Sequence, residues 1–326
     1  GSSSALSAAD DSFDTMNKPA LCAGVTLVEL LVAMTIASIA GIMILQVVLG
    51  FQSRILAEIS RNNLQDRAER LVRFIASDIR DAAFLIGPRP RTADGTPLHL
   101  THDSLAGDPV EVLPFSLLAV DLPDGDDRLT IVKAVSFAPP LRLSRVAQTG
   151  DSSIVLNRYP NRSPGSTREL QPAPEAINHL VFASHRTCYP LQQAGLEVHL
   201  EQPLKETVPA DNEVLGLRAC SYAAEPFAGS KRLRRDDFTS RDILDEAVDG
   251  LQFEYLLEDG GIVDQPLDIR AVRGVRISLL VRGLRQDRDD LDTDIYTLGN
   301  RTYGPFFDQF RRQVVTRLVE VKNHGL

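Results

Sequence analysis

The side chains with chemical potential are few and widely spaced. Six histidines, His99, His102, His179, His185, His199 and His324, show neither an HExxH pattern nor any other ligand spacing. His99 and His102 stand three apart with Asp103 beside them, which reads as a loop turn rather than a metal site. Asp121, Asp124, Asp126 and Asp127 in DLPDGDD are rich in calcium-binding oxygens, but the spacing and terminal Glu of an EF-hand are missing. A turn leading into a strand at Leu129 is expected there. A second acidic run, Asp287, Asp289, Asp290, Asp292 and Asp294, reads as a solvated loop. The basic cluster Lys231-Arg232-Leu233-Arg234-Arg235 is followed at once by Asp236-Asp237. No GxSxG, phosphate-cradling loop or dinucleotide fingerprint occurs, so no enzyme activity, cofactor or metal is expected.

One titratable residue sits where a charge is costly. From Leu30 to Phe51 the chain reads LLVAMTIASIAGIMILQVVLGF, without a single charge, and Glu29 stands directly at its entrance. A helix of that length rises about 33 Å, enough to cross a hydrocarbon core of roughly 30 Å. A buried helix of a soluble core seldom stays apolar on all sides for six turns. A cleaved secretory signal has an apolar region of about 7–15 residues and an Ala-x-Ala-like site, and neither fits. The run therefore predicts a membrane-spanning helix. Glu29 either lies among lipid headgroups or awaits a cation, such as the α-amine that cleavage after Gly24 would create.

The helix is expected to outrun the membrane. Leu64, Ala68, Leu71, Ile75, Ile79, Ala82 and Ile86 form one apolar stripe at spacings of three and four. Between them lie charges of both signs, and no Pro or Gly interrupts from Phe51 to Leu85. Val25 to Ala83 would make a helix of about 88 Å, ended by Gly87-Pro88. Beyond it the pattern changes to period two, as in Leu251, Phe253, Tyr255 and Leu257 and in Val275, Ile277, Leu279 and Val281. Further strands are expected at 110–120, 129–137, 153–156, 180–183 and 314–321. The expected architecture is α+β, with an antiparallel sheet resting on the helix stripe. Three regions result: 1–24, a leader and upstream segment; 25–86, the helix; and 87–326, a β-rich domain with a poorly patterned insertion at 186–248. The chain has 326 residues, 43% hydrophobic and 24% charged, with a net charge of −9. That balance argues against a broad phosphate-binding surface, and no nucleic-acid partner is expected.

Gly24-Val25-Thr26-Leu27-Val28-Glu29-Leu30-Leu31 before a long apolar helix resembles the processing motif of type IV pilins. The resemblance implies that a prepilin peptidase cuts after Gly24 and that Val25, where the family usually has Phe, becomes the methylated N-terminus. Glu29 would then be the fifth mature residue and would pair with the N-terminal amine of a neighbouring subunit during assembly. Segments 78–84, 249–255 and 275–282, and the ending at Arg311-Arg312 and 319–323, are similar to segments of PilW-type minor pilins. The resemblance further implies a type IV pilin fold and a single-pass inner-membrane protein with a periplasmic C-terminal domain. Such a protein would be co-assembled into the pilus, helping to initiate assembly, with the tip as a possible position. Its partners would be other minor and major pilins, the prepilin peptidase, the inner-membrane assembly platform and membrane lipid. The J-type pseudopilins of type II secretion share the same front end and are the nearest alternative; a membrane-anchored periplasmic enzyme or ligand-binding protein is the other. In an exported domain Cys188 and Cys220 are expected to form a disulfide. Arg54, Arg61, Arg67, Arg70, Arg73 and Arg80 on the far flank oppose the positive-inside rule, but large domains translocate largely regardless of such charges.

Overall fold

One long helix and a large antiparallel sheet make up the chain, an α+β arrangement dominated by strands. The computed structural model describes residues 26–100, 111–113, 115–122, 125–158, 179–185, 187–193, 197–237, 240–286 and 291–321. The chain divides into two units, residues 1–56 and 57–326.

Helix α1 (Leu27–Arg80) spans 54 residues. In the first unit its large apolar side chains, from Leu27 through Ile36 and Leu45 to Leu56, are all exposed. In the second unit the expected stripe is buried: Leu64, Ala68, Leu71, Ile75 and Ile79 all enter the core. The helix stops at Arg80, three residues before the sequence suggested. The N–H of Ala83 leaves the helical ladder to donate to the Val132 carbonyl at 3.1 Å, and Ala83 and Leu85 both adopt a left-handed φ of 61°. A strand carbonyl thus outcompetes the last helical turn.

Sixteen strands occur among the described residues: β1 (Leu98–Leu100), β2 (Glu111–Leu113), β3 (Leu117–Asp121), β4 (Asp127–Leu143), β5 (Ser153–Arg158), β6 (His179–Phe182), β7 (Cys188–Gln193) and β8 (Glu197–Leu200). The second half holds β9 (Glu213–Phe227), β10 (Ser230–Asp237), β11 (Arg241–Leu257), β12 (Ile262–Val263), β13 (Val272–Gln286), β14 (Tyr296–Leu298), β15 (Arg301–Tyr303) and β16 (Phe310–Glu320). The main sheet runs β16-β13-β11-β10-β9-β4-β3, every pair antiparallel. Its register places Leu251 opposite Leu279, Phe253 opposite Ile277 and Tyr255 opposite Val275, so one face of the sheet presents a continuous apolar surface to the α1 stripe.

A second circuit shares two strands with this sheet. Strands β9, β6, β7, β8, β5 and β4 pair in turn, and β4 pairs back to β9, closing a small barrel. A separate buried cluster, including Phe137, Leu156, Phe182, Tyr189, Val198 and Val214, belongs to these strands. Closure removes the edges that short strands would otherwise leave open.

The described part of the segment 186–248, expected to be a poorly patterned insertion, is built into the sheet. It supplies β7 to β10 and the start of β11, and β9 and β10 are central in the sheet. Strand β9 escapes a period-two reading because Leu215, Leu217 and Ala219 enter one cluster while Cys220, Tyr222 and Ala224 enter another. Both faces are covered, so polar and apolar residues do not alternate. Strand β10, SKRLRRDD, escapes it because its charges are held in ion pairs.

Candidate functional site

At the start of α1, Thr26 and Glu29 form a reciprocal cap. The Glu29 N–H donates to Thr26 Oγ1 at 3.2 Å, and the Thr26 N–H donates to Glu29 Oε2 at 3.3 Å. This is a capping box, Thr-x-x-Glu, and the carboxylate also meets the positive end of the helix dipole. Its signal is local, in Thr26-Leu27-Val28-Glu29, and a reading of Glu29 by charge alone misses it. Immediately beyond lies the exposed apolar surface. No part of the most apolar window of α1 is buried within the chain, and α1 is the one helix among the described residues long and apolar enough to cross a membrane. Each large side chain left in water forgoes about 1.5–3 kcal/mol, so the run amounts to tens of kcal/mol that only lipid or protein can supply. Gly24 and Val25 lie outside the described residues, as do Cys22, His102, Asp103, Asp124, Asp287, Asp289, Asp290, Asn323 and His324.

In the second unit the charges converge on three buried clusters. Asp78, on the buried side of α1, accepts from Lys133 Nζ at 2.8 Å, from the Tyr222 hydroxyl at 2.5 Å and from Arg235 Nε at 3.3 Å. Burial pushes the Asp78 carboxyl up, but the bonds from Lys133 and Tyr222 and the two cations hold it below its ordinary value. The basic cluster is consumed in the same way. Lys231 pairs with Asp126, Arg232 and Arg234 with Glu225, and Arg235 with Asp78 and Asp237.

The DLPDGDD segment makes the turn expected before β4, and its last two aspartates are buried. Beyond Val248, β11 has outrun its neighbour β10, and two main-chain donors there face the β3–β4 connection. Asp126 Oδ1 accepts the Leu251 N–H at 3.0 Å and Asp127 Oδ2 accepts the Phe253 N–H at 2.7 Å. Two carboxylates thus complete the ladder where no strand does. Tyr303, from β15, adds its hydroxyl to Asp126 at 2.8 Å and receives the Gln252 amide at 3.0 Å. Its ring lies over Gly250, where a Cβ would come within 2.8 Å. Gly250→Ala is therefore expected to cost about 1–3 kcal/mol in urea unfolding, because the doubly bonded ring cannot yield freely. An unchanged midpoint would show that it can.

The described part of the second acidic run is likewise internal. Asp292 is fully buried and accepts from Arg312 Nη1 at 2.9 Å and from the Tyr296 hydroxyl at 2.9 Å. Arg312 also meets Asp249 at 2.7 Å and Asp308 at 2.6 Å, and its guanidinium lies 3.6 Å from the centre of the Phe306 ring.

The bridge expected between Cys188 and Cys220 is not formed; both are free, buried thiols. Cys188 pairs with Val181, which pairs with Leu215, whereas Cys220 is five residues further along β9 and belongs to the opposite-face cluster. Five residues of strand span roughly 16 Å, against the maximum of about 7 Å between Cα atoms that a disulfide allows. Burial pushes the Cys188 thiol up to about 12. The Cys220 thiol, also raised by burial, donates to Asp78 at 3.4 Å.

No curated protein matches this chain, and no solved structure does. Residues 230–323, which carry β10 to β16, match the family model of the type IV pilus-assembly protein W.

Proposed function

We propose that this protein is a minor pilin, anchored in the inner membrane by the first half of α1 and co-assembled into type IV pili. The observation that carries the reading is the wholly exposed apolar surface of the first half of α1, in a chain whose strands β10 to β16 match the type IV pilus-assembly protein W model. A helix of this kind serves two environments in turn: lipid before assembly and the apolar helices of neighbouring subunits after it. Both cover the same side chains, so transfer between them need not expose apolar surface to water. The resemblance at residues 24–31 adds the expectation that cleavage after Gly24 leaves a methylated Val25. Mass measurement of the mature N-terminus checks this directly.

Glu29 would then do two things, cap its own helix and present a charge to a neighbouring N-terminal amine. Substitutions separate them. Thr26→Ala weakens the cap, a change of about 1 kcal/mol, and should leave piliation largely intact. Glu29→Gln keeps an acceptor for the Thr26 N–H but removes the charge, and should impair incorporation as strongly as Glu29→Ala. Normal recovery of the Gln variant in sheared pili would reduce Glu29 to a helix cap.

A further inference from the structure

The two terminal strands of the main sheet are finished differently. At β3, the edge N–H of Ala119 is taken by the Tyr255 hydroxyl at 2.6 Å, and just before the strand the Ser116 N–H donates to the Pro88 carbonyl at 3.1 Å. At the other end β16 is terminal, and among the described residues no strand lies on its outer side. The Val321 N–H donates to the Arg273 carbonyl at 2.9 Å, which fixes the parity of the strand. In an unbroken antiparallel register, residues 313, 315, 317 and 319 turn their main-chain groups toward β13. Arg312, Val314, Thr316, Leu318 and Glu320 turn theirs outward. Most of this outward row is uncharged, and Leu318 is half exposed. Apart from the Val314 carbonyl, which accepts the Gln313 amide at 3.0 Å, it is an open template among the described residues, of the sort that soluble proteins normally blunt or cover.

The charge beside this edge is opposite to that of the chain. Strands β13 and β16 together contain seven arginines and one glutamate, in a protein of net charge −9. Several of these arginines are satisfied internally, as Arg276 is by Glu254 and Arg312 by its three aspartates. Arg285 and Arg317 meet no carboxylate among the described residues. Antiparallel pairing with a second copy, centred on Thr316, would set Val315 rather than a carboxylate opposite Arg317. An extended acidic segment would pair with the outward main-chain row and place its carboxylates near Arg317 and Arg285.

We infer that the β16 edge is a strand-docking site that accepts an extended acidic segment of another pilus subunit by antiparallel or parallel strand addition. The inference deepens the minor-pilin reading and rests on it for the partner, though not for the site. It assigns the affinity to main-chain hydrogen bonds and the selectivity to Arg285, Arg317 and the half-exposed Leu318.

The test uses the full-length protein in its own membrane, with a benzophenone amino acid replacing Val314, Thr316 or Leu318 in turn. All three positions should capture one acidic stretch of a single other subunit, the captured residue advancing by two for each step of two along β16. Leu318→Pro removes one outward N–H without touching the β13 ladder. It should lower recovery in sheared filaments at least tenfold with an unchanged melting temperature, whereas Leu318→Ala should lower it less. Capture of lipid only, of another copy of this chain, or of nothing, in cells whose filaments contain the protein, would overturn the docking site and leave the pilin reading standing. In-register capture by a protein absent from filaments would do the reverse. If the Pro variant fails to fold, the three capture positions decide alone.

Discussion

Arg312→Met is expected to lower the stability of the second unit by about 3–5 kcal/mol, read as a fall in the urea midpoint of the detergent-solubilised full chain. The side chain is 1% exposed, and its guanidinium is shared by Asp249, Asp292 and Asp308. Removing one partner of a buried ion pair costs far more than the pair itself contributes, because the remaining charges stay desolvated without compensation. Here three carboxylates would be left, with Asp292 fully buried and Asp249 nearly so. The Phe306 ring would also lose the cation stacked on it. Arg312→Lys keeps the charge but cannot reach the carboxylates with a planar fork, so an intermediate loss is expected. Asp249→Asn and Asp292→Asn added to Arg312→Met should recover part of the deficit, since the stranded negative charge is what costs most. A single Met variant within about 0.5 kcal/mol of the parent, the range of an ordinary surface substitution, would show that these carboxylates find water or protons instead.

Stability should rise as pH falls from about 8 toward 4, opposite to the usual effect of paired carboxylates. The group responsible is Asp127. Burial pushes its carboxyl up to about 7, against the bond it accepts from Phe253, and the neighbouring carboxylates Asp121 and Asp126 push the same way. Asp121 stands directly across the β3–β4 pair from it and lies 3.8 Å from Arg301. A carboxyl whose folded value exceeds its unfolded value binds protons preferentially in the folded state. Between about 7 and 4 acidification therefore stabilises the fold, by an amount on the order of a few kcal/mol. Asp126, also raised by burial, acts in the same direction. Below about 4 the sign reverses, because Asp78 and Asp308 are held below their ordinary value and lose their cation partners on protonation. Melting temperatures at pH 5 to 8 check the rise, and Asp127→Asn should flatten it and be the more stable protein at pH 8. The asparagine oxygen can still accept the Phe253 N–H, and its amide can donate to Asp121. A parent chain more stable at pH 8 than at pH 5.5 would rule this account out.

The parts of the fold that the sequence reveals are those governed by one-dimensional spacing. The stripe from Leu64 to Ile79 is buried as its three-four spacing requires, and the strands around Phe253 and Ile277 pair as their alternation predicts, with the polar positions Gln252, Glu254 and Ser278 buried as well. Strand β9 is illegible in this way, since its two faces enter two different clusters. So is β10, whose charged sequence is compatible with a strand only because Asp126, Glu225 and Asp78 arrive from elsewhere in the chain. The acidic run at 287–294 reads as a solvated loop, and DLPDGDD as no more than a turn, for a related reason. A row of aspartates looks exposed until the structure places unpaired N–H groups or an arginine against it. The expected disulfide fails on parity: five residues along a strand put Cys220 on the face away from the one reached through Leu215.

The sequence determines by itself the uncharged run from Leu30 to Phe51 and the capping pair Thr26 and Glu29 before it. Local composition is sufficient there, because an apolar helix needs no partner from its own chain to be recognised as one. Only the tertiary structure decides where the remaining charges go. Coulomb and hydrogen-bond energies depend on distance in space: beside the near neighbours Asp237 and Asp308, Arg235 and Arg312 are met by Asp78 and Asp249, 157 and 63 positions away, and Asp127 accepts the Phe253 N–H from 126 positions on. The open edge of β16 belongs to the same class. Its sequence marks it as a strand, but only the order of the sheet makes it the last one.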